Sequence, residues 1–268
     1  MSAIPERVLA APPGAGKVFY ALLLRDLVVN RRELPYFLLR TTVQPLLFTL
    51  VFGFLLPKMS FVGRAYSSAL MPGILAMSLA LSSMQSVTLP MVIDFATNAL
   101  EDRLLAPASI RVVALEKIAM GILQGLAAAL FVLPVARLVM GPIDGLTLSH
   151  GIEIAAVALL GAATFSALGL LLGTAISPQQ IGLIFSAIIG PMMFFGCVYY
   201  PWTGLDAVPV MKYAVLVNPM VYVAEGLRGS LTPALPHMSL AAVLGALVLL
   251  TALFCALGLR SFERRSIA

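Results

Sequence analysis

Apolar residues fall in long blocks along this chain, with polar ones gathered between them. Six blocks reach the roughly 20 mostly apolar residues that a bilayer-crossing helix needs: residues 36–56, 67–93, 118–140, 152–176, 181–200 and 238–259. The blocks 67–93 and 152–176 are long enough to tilt or to run past the hydrocarbon. The runs are uninterrupted, whereas a β-barrel strand would alternate over roughly ten residues. The expected fold is all-α and integral to a membrane, with six transmembrane helices.

Three segments break the apolar pattern. In residues 18–34, Arg25, Asp26, Arg31, Arg32 and Glu33 alternate with Leu22, Leu23, Leu27 and Val28. That spacing predicts an amphipathic helix lying in the interface, basic side chains toward headgroups, with Pro35 separating it from the first span. Asn98–Ser109 reads N-A-L-E-D-R-L-L-A-P-A-S, setting Glu101, Asp102 and Arg103 against Leu104 and Leu105 before Pro107 stops the run. A short helix with a charged front between two apolar blocks is built as a lever on the membrane surface; the alternative is a solvated loop. Residues 201–236 are too polar to span, with Trp202, Asp206, Lys212, Asn218, Glu225 and Arg228, yet they hold the apolar runs Val208–Val217 and Met220–Ala224. Two short helices started or broken by Pro209 and Pro219, dipping into the outer leaflet and returning, fit both facts. Such a re-entrant hairpin must pack against other spans, because backbone at membrane depth needs cover. An ordinary surface loop is the other reading.

Composition agrees with the pattern. Hydrophobic residues make up 60% of the 268 and charged ones 11%, well under the usual charged share of about 25%. The net charge of +5 comes from basic residues beside apolar blocks, which fits the positive-inside bias and not a nucleic-acid face. With six spans both termini share one side. That side collects Arg7, Lys17, Arg25, Arg31, Arg32, Arg40, Arg103, Arg111, Lys117, Arg260, Arg264 and Arg265, against Lys58, Arg64, Arg137, Lys212 and Arg228 opposite. The bias places the termini and the charged insert in the cytoplasm. Cys197 and Cys255 lie within apolar blocks and read as small buried hydrophobes. The Pro-rich start with mixed charges does not read as a secretory signal, and no repeat or linker divides the chain, so one domain is expected.

Recognisable catalytic chemistry is sparse. A-P-P-G-A-G-K-V mimics a phosphate-binding loop at Ala11, Gly16 and Lys17, but Val18 follows the lysine, so no hydroxyl reaches a magnesium ion and no strand precedes the glycines. Residues 1–17 are therefore expected to be a flexible tail. His150 and His237 would need Asp144 or Glu153 to hold a metal, and nothing in the spacing fixes these together. Ser82, Ser83 and Ser86 near Gln85 lack a base and suit polar helix contacts. Asp94, Glu116 and Lys117 sit at span ends, so the spans lack the midplane carboxylate usual in ion-coupled carriers.

The order of interfacial helix, charged insert after the second span and hairpin before the sixth resembles the membrane subunit of ABC-2-type transporters. L-E-D-R-L-L-A-P at Leu100–Pro107 is similar to the family's coupling-helix segment, G-P-M-M-F-F-G-C-V-Y-Y-P at Gly190–Pro201 to its fifth-span ending, and N-P-M-V-Y-V-A-E-G-L-R at Asn218–Arg228 to the stretch before its last span. Arg103 departs from the hydrophobic residue common at its position. The resemblance covers essentially the whole chain. It implies a separate nucleotide-binding ATPase subunit in two copies, which would carry the ATP and Mg, and a second membrane subunit, either a copy or a paralogue. It implies ATPase coupling through Glu101, Asp102, Arg103, Leu104 and Leu105 together with Arg25, Arg31, Arg32 and Glu33.

At the other end, Phe194, Phe195, Tyr199, Tyr200, Asn218, Tyr222, Glu225 and Arg228 become pathway and hairpin candidates. For Tyr199, Tyr200 and Trp202 an interfacial aromatic belt is an equal reading. Gly190 and Gly196 suit close helix approach, and Met192 to Phe195 suit either lipidic cargo or dimer packing. The expected function is a permease, not itself an enzyme, exporting an amphipathic or lipid-linked substrate (a drug-like natural product, a lipid or a lipid-linked saccharide) through a bacterial-type inner membrane. A stand-alone channel or secondary carrier is the alternative.

Overall fold

The computed structural model describes residues 14–60, 63, 65–97, 109–143 and 145–267. Among these residues every regular element is helical. Helix α1 (Ala15–Phe48) passes through a π-helical stretch, Thr49–Leu55, into the short turn Leu56–Lys58. Helices α2 (Ala65–Ala96), α3 (Ile110–Met140) and α4 (Gly151–Ala175) follow, then α5 (Ile181–Phe194). The hairpin region forms α6 (Pro209–Ala214) and α7 (Pro219–Leu231), and α8 (Leu240–Ile267) closes the chain.

Helix α2 is the axis of the bundle. It packs against α3, α4 and α7, while α4 packs in turn on α8 and α1 on α3. Within its apolar stretch 94% of positions are buried, against 11% in α8 and 25% in the span of α1. Small residues make this approach possible. A Cβ at Gly125 would lie 1.8 Å from Ser83 Oγ, and one at Gly73 would lie 1.9 Å from the Val198 carbonyl oxygen. The outer helices turn apolar side chains outward, as a lipid solvent requires.

Two expected boundaries are corrected. Pro35 does not end the interfacial helix; α1 continues through Pro35 and Pro45 as one element. Proline removes one backbone donor, but in spanning helices neighbouring groups take up the freed carbonyls. Along the same helix Thr42 Oγ1 donates to the Leu38 carbonyl at 2.5 Å and Thr49 Oγ1 to that of Pro45 at 2.8 Å, each one turn back, so these hydroxyls are satisfied within the helix. The fifth block, 181–200, is helical only to Phe194. At about 1.5 Å per residue this 14-residue helix falls short of a hydrocarbon core of roughly 30 Å. Among the described residues, five helices are long and apolar enough to cross a membrane. Elsewhere the helices run longer than the apolar blocks, α3 starting at Ile110 and α8 running to Ile267. Pro209 and Pro219 open α6 and α7, because proline needs no donor at a helix start.

Contacts sort the chain between two ends of the bundle. Arg111 meets Glu263, and Arg265 meets the Thr174 and Ile176 carbonyls, at one end. At the other, Ser67 reaches the Gly53 carbonyl, the Thr147 N–H donates to the Leu231 carbonyl, and α7 approaches Ala69 and Cys197. Ile176 thus lies at the first end and Cys197 at the second.

Candidate functional site

At the first end, α1, α3, α4 and α8 are tied by charge. Asp26 bonds Arg25 at 2.8 Å and also pairs with Lys117 of α3, whose ammonium lies 3.6 Å from Glu116. These side chains are largely buried, 16% exposed for Asp26, 8% for Lys117 and 1% for Glu116. Burial pushes the Asp26 carboxyl up, but Lys117 and Arg25 outweigh it and hold it below its ordinary value. Arg111 and Glu263 pair at 2.6 Å between α3 and α8. Arg265 donates from Nη1 to the carbonyls of Thr174 at 2.6 Å and Ile176 at 3.2 Å, and its guanidinium stands 4.5 Å from the Phe95 ring centroid. Phe95 meets Phe262 edge-on at 5.8 Å, so the last turns of α2 and α8 are locked together.

Of the expected coupling residues, Glu101, Asp102, Arg103, Leu104 and Leu105 lie outside the described residues, as do Ala11 and Asp144. Arg31 and Arg32 are exposed on α1, Glu33 follows them on the same helix, and Arg25 is engaged with Asp26. The segment 98–108 joins Thr97 to Ser109, so its flanks are the end of α2 and the start of α3. Sequence reasoning passed over Asp26 and Lys117 as a pair. The available signal was a carboxylate, Asp26, set next to Arg25 among apolar residues in 18–34, and a lysine, Lys117, at the start of a span.

At the opposite end the hairpin is organised around Glu225 and Arg228, both fully buried. They form an ion pair one turn apart on α7. Arg228 also donates to the Ala69 carbonyl from Nε at 3.3 Å and Nη2 at 3.2 Å, and from Nη2 to the Cys197 carbonyl at 2.9 Å. Glu225 accepts the Trp202 N–H on Oε1 and the Met238 N–H on Oε2, each at 2.9 Å. Cys197 is held at φ 53°, a left-handed conformation that costs a non-glycine residue roughly 1–2 kcal/mol. The charge-assisted bond from Arg228 offsets that strain. Pairing by hydrogen bonds from three other segments is what lets two charges sit in the interior.

The remaining hairpin candidates gather around this hub. Asn218 caps α7, accepting the Met220 N–H at 3.0 Å on Oδ1 and donating from Nδ2 to the Met192 carbonyl at 2.8 Å. Tyr222 donates to the Leu216 carbonyl at 2.7 Å, and Tyr200 to that of Phe194 at 3.0 Å. Tyr199 is buried against Phe48 and Phe52 of the α1 extension, with ring centroids 5.4 and 5.3 Å away, and lies 6.0 Å from Phe194. Only Phe194 and Phe195 among these eight are largely exposed, at 59% and 43%. Among the described residues no three His, Cys, Asp or Glu side chains come together as a metal site.

Compared with protein-family models, residues 17–232 match the one described as ABC-2 type transporter. A comparison with curated proteins finds no match.

Proposed function

Because the chain belongs to the ABC-2 type transporter family, and is therefore the membrane-spanning permease component of such a transporter, we propose that it exports an amphipathic or lipid-linked substrate, driven by a separate ATPase subunit. Two copies of that ATPase, binding ATP and Mg, dock on the charged end. A second membrane subunit, a copy or a paralogue, completes the pathway.

The observation carrying this reading is the convergence at one end of the bundle. The flanks of 98–108, the exposed Arg31 and Arg32 and the Asp26–Lys117 and Arg111–Glu263 ties all share it. A push on Glu101–Leu105 and on the Arg25–Glu33 surface thus reaches α1, α2, α3 and α8 together, tilting them as a rigid body. Different ATPase contacts with and without ATP supply the bias. This end is cytoplasmic on the reading that basic residues mark the inner side of a bacterial-type inner membrane. Six crossings then follow if residues 176–197 traverse with a short helix and a turn; the contacts of Ile176 and Cys197 at opposite ends support that count. The hairpin dips into the outer leaflet. The exposed Phe194 and Phe195 offer an apolar surface to cargo, while Tyr199, Tyr200, Asn218, Tyr222, Glu225 and Arg228 shape the wall behind it.

The test is Glu101→Ala combined with Asp102→Ala in the full transporter. Coupled ATPase activity and transport should fall while membrane insertion is unchanged; transport at the parental rate would remove the lever from the mechanism. Transport that survives ATP depletion but collapses with the ion gradient would replace the ATP-driven reading with a secondary carrier.

A further inference from the structure

Besides Glu263, which is tied to Arg111, the last two turns of α8 carry three arginines, Arg260, Arg264 and Arg265. Leu257, Arg260, Ser261 and Arg264 recur at three- and four-residue spacing and so share one helical face. Together with Arg265 and with Leu171 of α4 they line an open pocket of about 590 Å³ between the two helices, a size typical of small-molecule sites.

Its lining is ordered along the helix axis. Leu171 and Leu257 form the part nearer the middle of the bundle, and Arg260, Arg264 and Arg265 crowd the part nearer its end. Arg265 is fixed from behind by the Thr174 and Ile176 carbonyls and the Phe95 ring, so its guanidinium is positioned before any ligand arrives. Thr174 Oγ1 lies 2.8 Å from Ser261 Oγ and 2.9 Å from the Leu171 carbonyl, a contact that holds α4 against α8 beside the pocket. Glu263, the acidic residue of α8, is turned away and held by Arg111. Arg260 and Arg264 are exposed.

We propose that this pocket binds the headgroup of an anionic phospholipid, with its phosphate among Arg260, Arg264 and Arg265 and its acyl chains along Leu171 and Leu257. A soluble anion would have no use for the two leucines, and a neutral headgroup none for three guanidiniums. Arginine forks match phosphate oxygens, and basic pockets between spanning helices are suited to anionic headgroups. The proposal rests on the bundle spanning a membrane, but not on the identity of the cargo or the presence of an ATPase.

Native mass spectrometry of the purified full chain, titrated with phosphatidylglycerol or phosphatidylcholine, tests it without any transport assay. The parent should retain phosphatidylglycerol selectively. Arg260→Gln with Arg264→Gln should weaken that retention by roughly twenty-five-fold, about fivefold for each guanidinium removed. Leu257→Trp, which blocks the apolar part and keeps every charge, should weaken it too, and Lys58→Gln at the opposite end should not. Thermal unfolding of each lipid-free variant checks that the fold is kept. Parental retention in the double arginine variant overturns the proposal. So does equal binding of the two lipids with arginine-dependent binding of inorganic phosphate, which would make this a free-phosphate site. If the double variant keeps phosphatidylglycerol but loses a co-purifying protein, the face is a protein dock and the lipid assignment falls.

Discussion

Arg228 shows how one side chain can set the position of a whole segment. Its guanidinium gathers Glu225 from its own helix, Ala69 from α2 and Cys197 from the turn after α5. Removing one partner of a buried ion pair costs about 3–5 kcal/mol, because the other charge is left behind without compensation. Arg228→Met should therefore lower the thermal stability of the detergent-solubilised chain sharply. Replacing Glu225 by Leu at the same time should recover part of the loss, and a single variant as stable as the parent would show that the hub carries no weight. Gly73 makes a second claim at this scale. With the Val198 carbonyl oxygen 1.9 Å from where a Cβ would sit, backbone must shift to accept Gly73→Ala, at a cost of about 1–3 kcal/mol. Gly190→Ala, which meets nothing within 4 Å, should leave the melting temperature nearly unchanged. Both charges of the hub are visible in the sequence, and so is the amphipathic character of their segment. Their burial is not, since the acceptors on Ala69 and Cys197 lie 159 and 31 residues away and are backbone groups common to every residue.

The helices themselves were largely legible, because length and hydropathy decide whether a segment can cross lipid, and those are local properties. What escaped was continuity. Pro35 reads as a boundary by its chemistry, but α1 runs through it, so the polar first half of α1 and its spanning half form one continuous helix. The end of α5 escaped for the opposite reason. Glycine recurs at 182, 190 and 196 in the run of 181–200, so the residues alone do not single out the turn at Cys197, which long-range bonds impose. The candidate site divides in the same way: the charged insert stands out in sequence, whereas the Asp26–Lys117 tie depends on α1 lying beside α3. The continuity of α1 leads to a prediction about this tie. Asp26→Asn should loosen the first half of α1, raising hydrogen exchange over residues 18–34 and lowering coupled ATPase activity. Unchanged exchange there would mean that other contacts hold the helix. Asp26 is held below its ordinary value of 3.8, so its stabilising contribution is present above that pH and is lost as pH falls through the lower folded value. The difference in exchange over 18–34 between the parent and Asp26→Asn, corrected for intrinsic rates, should accordingly be as large at pH 5 as at pH 8; a difference that vanishes at pH 5 would show that the Asp26 carboxylate is not what holds the tie.

For the molecule as a whole, the charged ties at one end and the buried hub at the other leave the middle to uncharged packing, apolar side chains with a few buried hydroxyls such as the Thr164–Thr251 pair at 2.7 Å, an arrangement suited to rigid tilting without loss of the bundle. The central place of α2 has a further consequence, for how the chain is made. This helix carries Ser67, Ser68, Ser78, Ser82, Ser83 and Thr88 in its buried surface, and its mean hydropathy of 1.4 is well below the 2.7 of α8. In the finished protein those hydroxyls face other helices. During synthesis, α2 leaves the ribosome before α3, α4 and α7 exist to cover it, and lipid is a poor substitute for them. Residence of α2 in the bilayer should therefore be provisional until its later neighbours arrive. Glycosylation mapping of chains truncated after residue 97 should show a sizeable fraction with α2 not inserted, and truncation after residue 175 should remove that fraction. Equal insertion at both lengths would show that α2 holds its place unaided. The helix that organises the native bundle is thus the one that depends most on helper surfaces to enter the membrane, and substitutions on it are expected to reduce the yield of inserted protein before they alter transport.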